Sequence, residues 1–193
     1  MTGLRAVQNV SPEFQRVVFR AKQDKRVRFT SLAHLLTTDF LKTNFRKLNQ
    51  HAAPGLDGVT MKAFGDKLDA EIEHLLEELR GGRYRASPVR RVFIPKANGK
   101  LRPLGVPTVR DRTVQRAVAE VLGAVYEPYF KEFSHGFRPG RSTHDALESL
   151  RVTIDRAPIR WIVEADIASY FDTVNHKWLM KFLQHRVADR ALL

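Results

Sequence analysis

The chain has 193 residues, 33 Lys and Arg against 21 Asp and Glu, a formal net charge of +12, 43% hydrophobic residues and no cysteine. That length and apolar fraction suit one or two folded lobes, while the missing cysteines exclude a disulfide scaffold and a thiolate zinc site. No apolar run approaches the roughly 18–20 residues of a membrane span and the N-terminus lacks the apolar core of a secretion signal, so a cytoplasmic protein without membrane contact, facing a polyanionic partner, is expected.

Taken in chain order, residues 1–35 are expected to form a basic extension. The first 30 are polar, show few periodic apolar positions and read as mobile or ordered only by a partner. From Leu32 to Leu48 the apolar positions follow a helical period, broken near Thr37 to Asp39. Residues 51–58 read as a turn, because Pro54 fixes φ while Gly55 and Gly58 permit φ > 0. Phe64, Leu68, Ile72, Leu75, Leu76 and Leu79 mark one face of a helix that Gly81-Gly82 stops. Residues 89–94 and 101–106 are short β-type runs around Asn98-Gly99, a strong hairpin signal, with Pro95 and Pro103 demoting them to edge or irregular strands. Val114, Ala117, Val118, Val121, Leu122 and Val125 form a buried helical stripe ended by Pro128. A loop rich in Gly, Arg and Pro over 135–141 leads into a helix near Ser142, which resembles an N-terminal capping pair with Asp145. Residues 161–165 read as an apolar strand ending at Asp166, followed by a helix from about Asn175 to Val187.

The charge is segregated. Residues 80–116 hold eleven Lys or Arg and one acid, Asp111, whereas residues 66–78 hold six acids opposed by Lys67 alone. A solvated face explains such runs as simply as a binding face does. Three places could do chemistry. The hairpin sets Lys96, Lys100 and Arg102 beside a flexible turn, either to fold over a triphosphate or nucleic-acid backbone or as plain solvated surface. Arg138 and Arg141 flank Pro139-Gly140 just before a helix N-terminus, suiting an anion or merely anchoring the helix, and Phe133 and Phe137 offer stacking surfaces for bases. Asp166 at a strand end could ligate a divalent ion, yet a lone aspartate serves as readily as a turn or cap residue. The seven dispersed histidines lack metal-ligand spacing, and neither a nucleophile elbow nor a phosphate-binding Gly-Lys-Ser/Thr loop occurs.

Four segments in order, Pro54-Gly-Leu-Asp-Gly-Val-Thr60, Ile94-Pro-Lys-Ala-Asn-Gly-Lys-Leu-Arg-Pro-Leu-Gly-Val-Pro-Thr-Val-Arg-Asp-Arg112, Phe133-Ser-His-Gly-Phe-Arg-Pro-Gly-Arg-Ser-Thr-His-Asp-Ala146 and Ala165-Asp-Ile-Ala-Ser-Tyr-Phe-Asp172, together resemble the reverse transcriptases encoded by group II introns. The resemblance runs from about residue 40 to the last residue. It implies an α+β fold, the fingers and first part of the palm of a right-hand polymerase, helix-rich with a short antiparallel hairpin. Residues 36–150 would be fingers-like, with the basic hairpin at 89–107, and residues 151–193 the start of an incomplete palm. It further implies that Lys96 and Arg102 contact the incoming triphosphate, with Arg112 nearby. Asp166 matches the first metal-binding aspartate, and Ile167 would offer its backbone carbonyl to the same Mg2+. Tyr170 and Phe171 would crowd the sugar 2′ position and select deoxynucleotides. Arg138 and Arg141 fall near the template, and Lys100, Arg110, Arg90 and Arg91 are further candidate nucleic-acid contacts.

The expected partners are therefore intron or template RNA, an RNA–DNA hybrid and a deoxynucleoside triphosphate, besides self-association or a second chain completing the palm. One departure stands out: members of the family carry a later aromatic-x-Asp-Asp motif, and no Asp-Asp dipeptide occurs here. Phosphoryl transfer with two metal ions needs several carboxylates to hold cations about 4 Å apart. An RNA-directed DNA polymerase by family, the chain by itself is expected to be catalytically incomplete. The alternative is a non-catalytic structured-RNA binder that assists splicing through the basic segment and the N-terminal arm.

Overall fold

The computed structural model describes residues 11–95 and 99–193. Their elements are α1 (Pro12–Gln23), a 3-10 turn (Ala33–Leu35), α2 (Thr38–Arg46), α3 (Met61–Asp66), α4 (Leu68–Arg80), β1 (Arg90–Pro95), β2 (Leu101–Val106), α5 (Val109–Tyr126), a second 3-10 turn (Glu127–Tyr129), α6 (Thr143–Arg156), α7 (Tyr170–Thr173) and α8 (His176–Gln184). The class is α+β, helix-rich, with β1 and β2 paired antiparallel. The chain forms two compact units interleaved in sequence. The first joins the described residues up to Phe29 to Gly123–Ala188, and the second joins Thr30–Leu122 to Asp189–Leu193. No helix among the described residues is long and apolar enough to cross a membrane.

In the second unit, Thr37 caps α2 by accepting the Phe40 N–H, and Leu41 and Phe45, one turn apart, are buried. The single helix expected over residues 64–79 is two. Lys67 (φ −119°) breaks it directly after Gly65 and Asp66, both weak helix formers, while Phe64, Ile72, Leu75 and Leu76 still face the core. The Gly pair then ends α4, with Gly82 at φ +64°. In the turn over 51–58 the two glycines do different jobs. Gly58 has φ +72°, but Gly55 has no positive φ; a Cβ there would lie 2.6 Å from the Thr108 Cα, so the backbones touch. Helix α5 starts at Val109, earlier than its apolar stripe suggested, because the Thr108 hydroxyl accepts the Asp111 N–H at 3.1 Å.

In the first unit, residues 12–23 are a helix, which over that span corrects the reading of a mobile or partner-ordered extension; residues 1–10 of that expected extension lie outside the described residues. Ser11 caps α1, Pro12 opens it, and Phe14, Val17 and Ala21, spaced by three and four, are buried. The following strand-like stretch is held from far away in sequence. The Arg186 guanidinium donates to the carbonyls of Val27 (2.7 Å), Lys25 (2.5 Å) and Asp24 (3.3 Å) and lies 4.2 Å over the Tyr129 ring. Phe29 and Val187 form a parallel bridge. That pairing also ends α8 at Gln184, short of the expected Val187.

Helix α6 has the full capping box expected, Ser142 and Asp145 each binding the other's backbone N–H. Residues 161–165 are a correction: they form no strand, and Trp161 (87% exposed), Ile162 and Val163 stand in solvent. An apolar run becomes a strand only when a neighbour takes its backbone groups, and none does so among the described residues.

Candidate nucleic-acid interface

The register of the hairpin decides which cations can act together. Arg90 lies opposite Val106, Arg91 opposite Gly105 and Ile94 opposite Arg102. Directly opposed residues share a face and neighbours along a strand alternate, so Arg90 and Arg102 lie on one face with Val92, Ile94 and Leu104. Arg91 lies on the other with Phe93 and Leu101. Two strands alone cannot bury either face, and Phe93, Leu101, Arg91, Arg102 and Lys100 are all exposed. Lys96 lies outside the described residues.

Both legs of the hairpin meet at one buried carboxylate. Asp111, 1% exposed, accepts from the Tyr84 hydroxyl (2.7 Å), the Thr108 hydroxyl (2.7 Å) and the Ser87 backbone N–H (3.1 Å). It thereby ties the segment entering β1 to the segment leaving β2. Burial, then donation to Asp111, pushes the Tyr84 phenol well above its usual range and keeps it protonated. Sequence reasoning passed over Asp111 as the one acid in a basic run; that isolation, directly before a helix stripe, was the available signal.

Several expected nucleic-acid contacts are engaged by the protein itself. Arg110 pairs with Glu78 and lies 5.7 Å over the Tyr84 ring. Arg112 donates to the carbonyls of Ala53 (2.8 Å) and Thr108 (3.4 Å), and Arg90 to that of Pro54 (3.1 Å). Arg90 and Arg112 thus clamp consecutive carbonyls of the turn that Gly55 presses against Thr108.

In the first unit the loop before α6 is built around Arg138. Its side chain is 9% exposed; Nε and Nη2 donate to Glu127 Oε1 at 3.0 and 2.7 Å, and Nη1 donates to the carbonyls of Lys131 (2.9 Å) and Ser134 (2.7 Å). The guanidinium lies 5.1 Å over the Phe130 ring. Arg141 stays exposed.

Asp166 and Ile167 lie on the extended stretch beyond Trp161, both exposed. Ser169 follows at φ +51°, and α7 opens with Tyr170 and Phe171, their rings 5.3 Å apart and edge-on at 74°. Among the described residues no three His, Asp or Glu side chains converge as a metal site. The donor set around Asp166 therefore does not fit a paired-ion centre.

Comparison with known proteins matches residues 94–192 to the family described as reverse transcriptase (RNA-dependent DNA polymerase). Protein YkfC of Escherichia coli (strain K12) is 45% identical over 143 residues, covering 72% of this chain and 38% of that protein. The group II intron-encoded protein LtrA of Lactococcus lactis subsp. cremoris is 36% identical over 166 residues, covering 85% of this chain and 27% of LtrA. The nuclear intron maturase 1, mitochondrial, of Arabidopsis thaliana is 33% identical over 87 residues, 45% of this chain and 12% of that protein. The chain spans less than two-fifths of the length of these relatives. With the family match extending over just more than half of its residues, from the hairpin to beyond α8, the chain belongs to the reverse transcriptases, in the group II intron reverse transcriptase/maturase family.

Proposed function

We propose that this chain supplies the fingers and the first part of the palm of a group II intron-type reverse transcriptase, an RNA-directed DNA polymerase. The observation that carries this reading is that one family match holds both β2, with Arg102, and the run from Asp166 to Phe171. Arg102 and Lys96 meet the triphosphate of the incoming deoxynucleotide. Lys100, Arg91 and Arg141 meet the phosphate backbone of template RNA or of an RNA–DNA hybrid. Arg90, Arg110, Arg112 and Arg138 hold those elements in place through the protein's own acceptors. Tyr170 and Phe171 stand at the sugar, and Asp166, with the Ile167 carbonyl, would supply two ligands to a single Mg2+ and not the set a paired-ion centre needs. Because a lone carboxylate does not hold two cations, these residues by themselves do not polymerise.

The test is a primer-extension assay on an RNA template with Mg2+, run beside filter binding of the same RNA. No extension is expected, with RNA affinity that falls steeply between 50 and 200 mM salt as phosphate contacts release counterions. Template-dependent incorporation by the 193 residues would overturn the inactivity, and binding indifferent to salt would overturn the backbone contacts.

A further inference from the structure

We infer that the loop over 130–141 is a stacking platform for unpaired RNA bases, with Phe133 and Phe137 as the contacting rings and Arg138 as the residue that aims them. This rests on the RNA-binding reading above and assigns a subsite within it. Phe133 is 78% exposed and Phe137 106%, so nothing among the described residues shields the second ring. Phe137 also has φ +56°, a left-handed conformation that an aromatic L-residue seldom adopts and that persists only where its surroundings enforce it. The enforcing contacts are local. Arg138, the next residue, is drawn inward by Glu127, the Lys131 and Ser134 carbonyls and the Phe130 ring, and Pro139 stiffens the exit. The strain thus holds an apolar ring in water, which stabilises nothing within the described residues.

The chemistry around the rings selects the occupant. Arg138 has spent its guanidinium on the protein, leaving the two rings exposed beside Lys131, Glu132 and Arg141. Among the described residues neither phenylalanine packs against another aromatic ring. A protein partner needs a continuous apolar patch, such as the run Trp161-Ile162-Val163 offers. Two exposed rings flanked by a cation on either side are instead what a single strand takes, one base on each ring and phosphates on the cations. A duplex keeps its bases stacked and cannot use the rings.

The experiment titrates the 193-residue protein with a single-stranded oligouridylate and with a duplex RNA of the same length. Phe133→Ala and Phe137→Ala are each expected to weaken oligouridylate binding about tenfold, leave duplex affinity within twofold, and keep the salt slope of the parent. Phe137→Gly, which relieves the left-handed strain, should lose as much as Phe137→Ala, and Phe137→Trp should restore binding. Arg138→Gln should lose single-strand affinity like the ring variants, at an unchanged salt slope, since it acts by releasing the loop. Lys131→Ala with Arg141→Ala should instead flatten the slope by about two phosphate contacts' worth. Circular dichroism confirms folding, and since both rings lie in solvent their removal opens no cavity.

Equal loss on single and double strands, or parental affinity in both alanine variants, would overturn the platform. So would variants that keep RNA affinity but lose self-association on size exclusion, an outcome that would mark the loop as a protein contact. A parent that binds RNA with steep salt dependence yet ignores the rings defeats the platform alone. A parent that binds no RNA defeats the proposed function, and the platform with it.

Discussion

Asp111→Ala is the most informative single perturbation, because the carboxylate holds three donors from both legs of the hairpin. A buried donor stripped of its acceptor costs about 1–3 kcal/mol. Thr108 is 2% exposed and bears that in full, the half-buried Tyr84 about half of it, and Ser87, at the surface, recovers water. The expected loss is about 2–4 kcal/mol, against a total stability on the order of 5–15 kcal/mol for a domain. Both tryptophans, Trp161 and Trp178, belong to the first unit, so their fluorescence does not report on this site. Amide exchange read by mass spectrometry on peptides from 108–122 does, and there the loss becomes about 30- to 1,000-fold faster exchange. Peptides from α8 serve as the control. Tyr84→Phe, which removes one donor and leaves two, should accelerate exchange only about fivefold. Acceleration below about threefold in Asp111→Ala would show that the carboxylate is not what joins the two legs.

Two further outcomes follow from buried groups. Burial works against ionisation of Asp189, but the backbone N–H groups of Leu32, Ala33, Ala191 and Leu192 prevail and hold its carboxyl below the usual range. A depressed folded value gives stability that is present above the ordinary carboxylate range and lost as pH falls through the folded value. The difference in urea midpoint between the parent and Asp189→Asn, followed by circular dichroism, should therefore shrink from pH 6 to below pH 3; a constant difference would refute the assignment. Arg186→Met keeps an unbranched stem but leaves three carbonyls without their donor, and should speed exchange over residues 24–29 at least tenfold while leaving α2 and α4 unchanged.

What was legible in the sequence was local. Alternating runs around Asn98-Gly99, the apolar stripe of α5, the glycine stop of α4 and the Ser142–Asp145 box each depend on residues within a few positions, and all are present. Helix α1 was hidden because its three buried positions sit in a basic stretch and its continuation is held by Arg186, some 160 residues away. The strand at 161–165 failed for the mirror reason, since a ladder needs a neighbour that local pattern does not guarantee. The family was visible because four motifs fall in order. The surroundings of the arginines were not, because a guanidinium facing solvent and one turned onto the protein's own carbonyls have the same sequence: Arg102 and Arg112, ten residues apart, are one of each.

The bridge between Phe29 and Val187 has a consequence for synthesis on the ribosome. At about 5–20 residues per second, the stretch after α1 waits on the order of ten seconds or more for the residues that pair with it. Through that interval Phe14, Val17 and Ala21 have no completed core to enter, and the nascent chain presents an amphipathic basic helix to its surroundings. A chaperone, or a polyanion already at hand, has first access to that helix before the late-emerging Arg186 claims the segment that follows it.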